Sequence, residues 1–203
     1  MKGFSDEERD LIRTNLLEEG RDLFAQFGLE RTRIKDVTEA VGIGTSTFYQ
    51  FFDSKEKLYA EVLMRERARL DAEIAEAASN AETPREEIRV TLERTFDAIE
   101  SNPLIFRLIV EGELRSLQNH LSEAERKALS EQVWTTNMSA IDQWADRSAL
   151  RERDPQTLNA FLLTLVFVTR SKDVFSSNEV GPEYDEIRDL LIDVVVDGLF
   201  QHH

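Results

Sequence analysis

Apolar residues recur at helical spacing along almost the whole chain. Ile12, Leu16, Leu17, Leu23, Phe24 and Phe27 make one stripe, which predicts a first helix from near Ser5 to Gly28. Ser5-Asp6-Glu7-Glu8 supplies a capping segment whose carboxylates suit the positive helix end. Ile34, Val37 and Val41 predict a short second helix that stops at Gly42, where a residue free to take positive φ is wanted. Ile43 plugs the turn, and Gly44-Thr45 opens a third helix. That helix buries Phe48, Phe51 and Phe52, leaving Thr45, Ser46, Thr47, Tyr49 and Gln50 as a polar, hydrogen-bonding face. Asp53-Ser54 caps a fourth helix in which Leu58, Val62, Leu63, Leu70 and Ile74 lead towards Ala78. At ~1.5 Å per residue, its ~20 residues reach ~30 Å, long enough to join a head to a second domain.

Ser79 to Pro84 breaks the pattern, and five further helices are expected at about 84–100, 103–119, 122–145, 155–176 and 182–200. Pro84, Pro103, Pro155 and Pro182 fall in the first turn of four of them, where the missing N–H costs nothing. The segment 146–154 between the third and fourth is charged and loop-like. The last two helices are apolar on nearly every face: 161–168 reads FLLTLVFV, and 187–200 carries nine large aliphatic or aromatic residues. Such helices need cover on both sides. Either they lie at the centre of a monomer core, or a second copy covers what the first leaves open.

Two short helices joined through a glycine turn, one with a polar face, suit insertion into a DNA major groove. The run TRIKDVTEAVGIGTSTFYQFFDSKEKLY resembles the DNA-binding signature of the TetR (tetracycline-repressor) family. The matching residues are Thr32, Gly42, Thr47-Phe48-Tyr49, Phe52, Ser54-Lys55-Glu56, Leu58 and Tyr59. Two departures stand out: Gly44 replaces a frequent Ser, and Thr45-Ser46 replaces Lys-Gly, which removes one phosphate contact. The resemblance implies a helix-turn-helix domain over 1–60, with the motif at 33–52. It also implies a helical regulatory and dimerisation domain over 61–203. Dimerisation through about 155–200 would set two recognition helices ~34 Å apart for a near-palindromic operator.

DNA-contact candidates follow residue by residue. Thr45, Ser46, Thr47 and Gln50 face base edges or solvent. Tyr49 directs its hydroxyl to a phosphate, or caps the head core with the hydroxyl in water. Arg33 begins the helix that crosses the DNA backbone, and Lys55 lies at a helix N-terminus where side chain and N–H groups can both meet phosphate. Thr32 is a structural N-cap, a contact, or both. Within the C-terminal helices the resemblance implies a pocket for a small-molecule effector. Phe106, Trp134, Met138, Trp144 and Phe161 are its candidate lining, with plain core packing as the alternative.

Charge complicates this picture. The chain has 25 basic and 40 acidic residues in 203, a net −15. Residues 1–60 carry 9 Lys/Arg against 12 Asp/Glu, so even the head is acidic. DNA affinity must then rest on local clustering of Arg31, Arg33, Lys35, Lys55 and Lys57. With 19 arginines and only 6 lysines, the composition is also similar to that of proteins from salt-loving organisms.

No cysteine is present, which excludes disulfides, thiolate metal sites and thiol catalysis. His120, His202 and His203 are the only histidines, and no nucleophile elbow, P-loop, dinucleotide fingerprint or HExxH occurs. The expectation is a non-enzymatic, cytoplasmic, homodimeric and ligand-responsive DNA-binding regulator, a repressor, with no cofactor, no metal and no membrane contact. Its rival is a non-catalytic interaction or ligand-buffering module carrying a vestigial helix-turn-helix.

Overall fold

A computed structural model describes residues 4–135, 141, 143, 144, 150, 154–172, 175 and 182–200, with the backbone alone over 130–135. The fold is all-α: an N-terminal helix-turn-helix followed by a helical C-terminal part. The helices are α1 (Asp6–Arg31), α2 (Ile34–Val41), α3 (Thr45–Phe48), α4 (Lys55–Ala78), α5 (Pro84–Ser101), α6 (Pro103–Ile109), α7 (Glu113–Asn119), α8 (Glu123–Thr135), α9 (Pro155–Leu165) and α10 (Tyr184–Leu199). A 3-10 segment, Val166–Ser171, continues α9. Among the described residues the only extended pairing is the antiparallel bridge between Leu150 and Phe200.

Most expected caps form. The Ser5 hydroxyl accepts from the Glu8 N–H (3.2 Å) while the Glu8 carboxylate accepts from the Ser5 N–H (2.8 Å), a reciprocal capping box. Ser122 and Glu125 repeat it at α8. Thr83 and Asp154 cap α5 and α9, each followed by proline in the first turn.

Boundaries moved where backbone geometry overrode the apolar pattern. The single helix expected over 103–119 is two, because Gly112 takes φ +80° and starts α7 afresh. Gly28 does not end α1; at φ +78°, ψ 174° it kinks the helix, which gains one more turn to Arg31. Thr32 then closes α1 instead of opening α2, and Arg33 takes the N-cap position. At the start of α4 it is Ser54 whose hydroxyl accepts from the Lys57 N–H (3.3 Å).

The chain forms two compact units. The first combines 1–67 with 103–129. Its core holds Leu16, Leu17, Phe24, Leu29, Val37, Phe48, Phe52, Leu58 and Tyr59, completed by Leu104, Leu117, Leu121 and Leu129 from the later segment. At ~1.5–3 kcal/mol per fully buried large side chain, those four leucines contribute substantially to head stability. Two bidentate ion pairs tie α1 to α4: Arg13 to Glu61 (both 2.5 Å) and Arg21 to the buried Glu66 (2.9 and 3.2 Å).

The second unit takes in 68–102 and 130–203. Ile88, Leu92, Phe96, Ile141, Trp144, Leu150, Leu158, Ile192, Val195, Val196 and Leu199 make its core. A ladder of ions runs along the α5–α10 contact: Arg85 with Asp197, Arg89 with Asp193 (2.5 Å) and Arg188 with Asp97 (3.2 Å). Glu100 lies at the end of the ladder, accepting from Lys172 (2.5 Å) and from the Tyr184 hydroxyl (3.0 Å).

Candidate nucleic-acid interface

The turn between α2 and α3 has the geometry that a left-handed glycine allows. Gly42 sits at φ +78°, ψ 30°, its N–H bonded to the Glu39 carbonyl (3.2 Å) and the Ile43 N–H to Thr38 (3.0 Å). This pair of reverse bonds satisfies the end of α2 and turns the chain sharply. α3 is a single α-turn, yet its winding persists. Bonds from Gln50 N–H to Thr47 and from Phe52 N–H to Phe48 (both 3.0 Å) carry it to Phe52.

Burial of one face fixes the orientation of the other. Phe48 is fully buried and Phe52 nearly so, their rings 5.9 Å apart. Tyr49 meets Phe48 edge-on at 5.5 Å while remaining 53% exposed. Thr45, Ser46 and Gln50 are exposed and Thr47 is half-buried. Arg9 and Arg13 lie over the Phe51 and Phe52 rings at 5.0 and 5.3 Å, which braces the aromatic side of the motif.

The cations are less free than their positions in sequence suggest. Arg33 grips Asp36 through two nitrogens (2.8 and 3.1 Å), and the same carboxylate accepts from the Arg33 N–H (3.0 Å). That grip holds the Asp36 carboxyl below its ordinary range. Lys35 pairs with Glu39 (3.4 Å), and Lys57 with both Asp53 (2.5 Å) and Glu125 (3.1 Å). The Glu125 carboxyl falls to about 2, first because the Ser122 hydroxyl and N–H donate to it and then because of Lys57.

Thr32 and Lys55 are both engaged within the head. Thr32 is buried, its hydroxyl donating to Gly28 (2.7 Å) and Leu23 (3.3 Å) carbonyls. The Lys55 ammonium donates to the carbonyls of Leu29 (2.8 Å), Thr32 (3.1 Å) and Glu30 (3.3 Å), capping the end of α1 with a side chain from α4. Lys55→Gln should therefore lower head stability by about 1–2 kcal/mol, the cost of three carbonyls losing a charged donor. Urea unfolding followed by circular dichroism reads it; an unchanged midpoint would refute the capping role.

A clamp that the sequence did not suggest closes the kink in α1. The Glu113 carboxylate accepts from the Leu29 N–H, which the Gly28 conformation leaves without a helical partner (3.1 Å), and from the Tyr59 hydroxyl (2.6 Å). Arg107 donates to the Ala25 (3.3 Å) and Gln26 (3.2 Å) carbonyls while paired with Glu111 (2.8 Å). Arg107–Glu111 reads in the sequence as an exposed pair one helical turn apart. Partners 81–84 residues away leave no local trace.

Tyr59 is fully buried against Phe24 (4.7 Å), and burial, reinforced by Glu113, raises its hydroxyl above the ordinary phenol range. A raised folded-state value means that this contribution is complete below the ordinary 10.0 and is lost as pH rises beyond it. The melting temperature should fall more steeply above pH ~10 in the wild type than in Tyr59→Phe, which has no proton there to lose.

Of the candidate ligand set, the side chains of Phe106, Trp144 and Phe161 are described. Phe106 belongs to the first unit, whereas Trp144 and Phe161 belong to the second. Trp144 is buried in the second core and Phe161 is exposed. Met138 and the Trp134 side chain lie outside the described residues. Among the described residues no group of three or more metal-ligating side chains converges, and no helix is long and apolar enough to cross a membrane.

Residues 16–62, the stretch that builds α2, the glycine turn and α3, match the family described as bacterial regulatory proteins, tetR family. Over that stretch the chain is similar to the DNA-binding segment of the family. It is 30% identical over 105 residues to the HTH-type transcriptional activator FasR of Mycolicibacterium smegmatis, covering 52% of this chain and 48% of FasR. It is 43% identical over 51 residues to the HTH-type transcriptional repressor KstR2 of Rhodococcus jostii, 25% of each chain. The chain thus spans about half or less of the curated relatives it matches.

Whole-chain likeness to TetR-family structures is a likeness of fold. A TetR-family transcriptional regulator from Pectobacterium atrosepticum superposes with TM-score 0.72 at 19% identity, over 98% of this chain and 99% of its own. FadR from Bacillus subtilis, solved in complex with stearoyl-CoA, gives 0.68 at 10% identity over 92% and 98%.

Proposed function

We propose that the protein is a homodimeric, ligand-responsive transcriptional repressor that binds a near-palindromic operator in the cytoplasm and catalyses no reaction. One observation carries the reading: Phe48 and Phe52 anchor a one-turn helix behind a glycine turn, so Thr45, Ser46, Tyr49 and Gln50 stand exposed together. Gln50 suits bidentate pairing with adenine, and the Thr45 and Thr47 methyl groups suit thymine methyls. Tyr49 and Arg33 serve phosphate, while Thr32 and Lys55 position the motif from beneath.

Dimerisation is supported by the outward face of α10. Leu190 and Val194, one turn apart, are 62% and 61% exposed, while Ile192, Val195 and Val196 of the same helix are buried. Phe161 and Phe167 are exposed on the neighbouring helical segments. A second copy packing its own α10 there covers both faces at once, and two-fold symmetry then matches a palindromic site.

The regulatory and dimerisation role belongs to the region after residue 60, apart from the stretch 103–129 that completes the head. For the effector, the fold shared with the stearoyl-CoA complex of FadR favours an acyl thioester. The effector acts only by binding one dimer geometry more tightly than the other.

Selection from a randomised duplex library at low and high KCl tests the reading. Enrichment of a near-palindrome is the expected result. A folded dimer that enriches nothing at either salt would overturn it in favour of an interaction or ligand-buffering module.

A further inference from the structure

Of the five cations clustered around the motif, all but the exposed Arg31 are already occupied. Lys35 and Glu39 form one exposed pair and Lys57 is held by Asp53 and by Glu125, while Arg33 holds Asp36 and Lys55 is spent on carbonyls. A lysine beside a carboxylate presents almost no net charge to a phosphate a few ångströms further out. It also releases fewer counterions on binding than a lone lysine does.

Glu39 and Asp53 differ from Asp36 in what else they do. Asp36 caps the N-terminus of α2, so its carboxylate has a structural task. The Glu39 and Asp53 side chains are 66% and 78% exposed, and α4 takes its cap from Ser54. Exposed pairs of this kind add little to folding.

We propose that Glu39 and Asp53 are internal counter-anions: they occupy Lys35 and Lys57 and so hold down the affinity of the head for DNA of arbitrary sequence. Non-specific binding rests almost wholly on phosphate charge, so it is the mode these carboxylates suppress. Binding then depends on the base-edge contacts of Thr45, Ser46, Thr47 and Gln50. The inference rests on the DNA-binding reading above.

The test uses the full-length protein and a fluorescent duplex of random sequence, titrated across a KCl series. Glu39→Gln should raise affinity about five- to tenfold at 0.1 M KCl and steepen the log–log salt slope by about 0.9, the increment of one added phosphate contact; Asp53→Asn should act in the same direction but less, because Glu125 still holds Lys57. Glu18→Gln serves as a control. It makes the same change of net charge at an exposed carboxylate of α1 that pairs with none of these lysines, and should shift affinity less than twofold.

Melting temperatures verify that each variant is folded. The double variant Glu39→Gln/Asp53→Asn adds the two increments if the sites act separately. Unchanged affinity and slope, with operator binding intact, would overturn the counter-anion role and leave the regulator reading standing. An equal gain in Glu18→Gln would overturn it as well, by reducing the effect to net charge. Failure of wild type and variants alike to bind any duplex would overturn both.

Discussion

Replacing Leu190 and Val194 together by glutamate converts the protein to a monomer and lowers operator affinity by about 10²–10⁴-fold, the avidity that linking two heads supplies. Both side chains stand well exposed on α10, while Ile192, Val195 and Val196 of the same helix fill the core of the second unit. The substitution therefore removes an interface while leaving the fold of one chain largely untouched. A fully covered aliphatic side chain contributes ~1.5–3 kcal/mol, and two-fold symmetry counts each twice. Four introduced carboxylates facing one another cost more again. Sedimentation and operator titration on the same sample give the answer. A variant that stays dimeric, or a monomer that keeps wild-type operator affinity, contradicts the proposed assembly.

Gly28→Ala destabilises the head by about 2–4 kcal/mol. The backbone there, at φ +78° and ψ 174°, lies in a region open almost only to glycine. A Cβ would also stand 2.3 Å from the Glu113 carboxylate oxygen. The methyl group must push Glu113 away, which leaves the Leu29 N–H unpaired and takes the acceptor from the buried Tyr59 hydroxyl. Combining Gly28→Ala with Glu113→Ala separates the two causes. If the second substitution adds its full separate cost, backbone strain alone explains the first; if it adds little, displacement of Glu113 was the main loss.

Local interactions were legible in the sequence. Period and caps located α1, α2, α4 and α5 to within a few residues, since Ser5, Gly42, Ser54 and Thr83-Pro84 act on neighbours three to five positions away. The polar face of α3 was legible for the same reason: Phe48 and Phe52 fix it from one helical turn apart. What escaped were partners distant in sequence. Lys55 reads as a phosphate ligand because it opens a helix, but the carbonyls of Leu29, Glu30 and Thr32 lie nearer. Glu113 carries no motif at all, and its importance arises from a kink 85 positions earlier. Aromatic content marks core and pocket alike: Trp144 is buried in the second core, whereas Phe161 is exposed.

The interleaving of the two units bears on how the chain is made. Leu104, Leu117, Leu121 and Leu129 seal a core begun by Leu16 and Phe24. A ribosome delivers the helix-turn-helix early, yet α5, a helix of the other unit, must emerge before the seal arrives. Until Leu129 clears the exit tunnel, the nascent head has an open flank, and a ribosome stalled near residue 100 displays the recognition helix on an unfinished body. A fragment that keeps only the first 67 residues is that nascent state made permanent. Such a fragment lacks the four leucines that complete the core, so its apolar flank stays open.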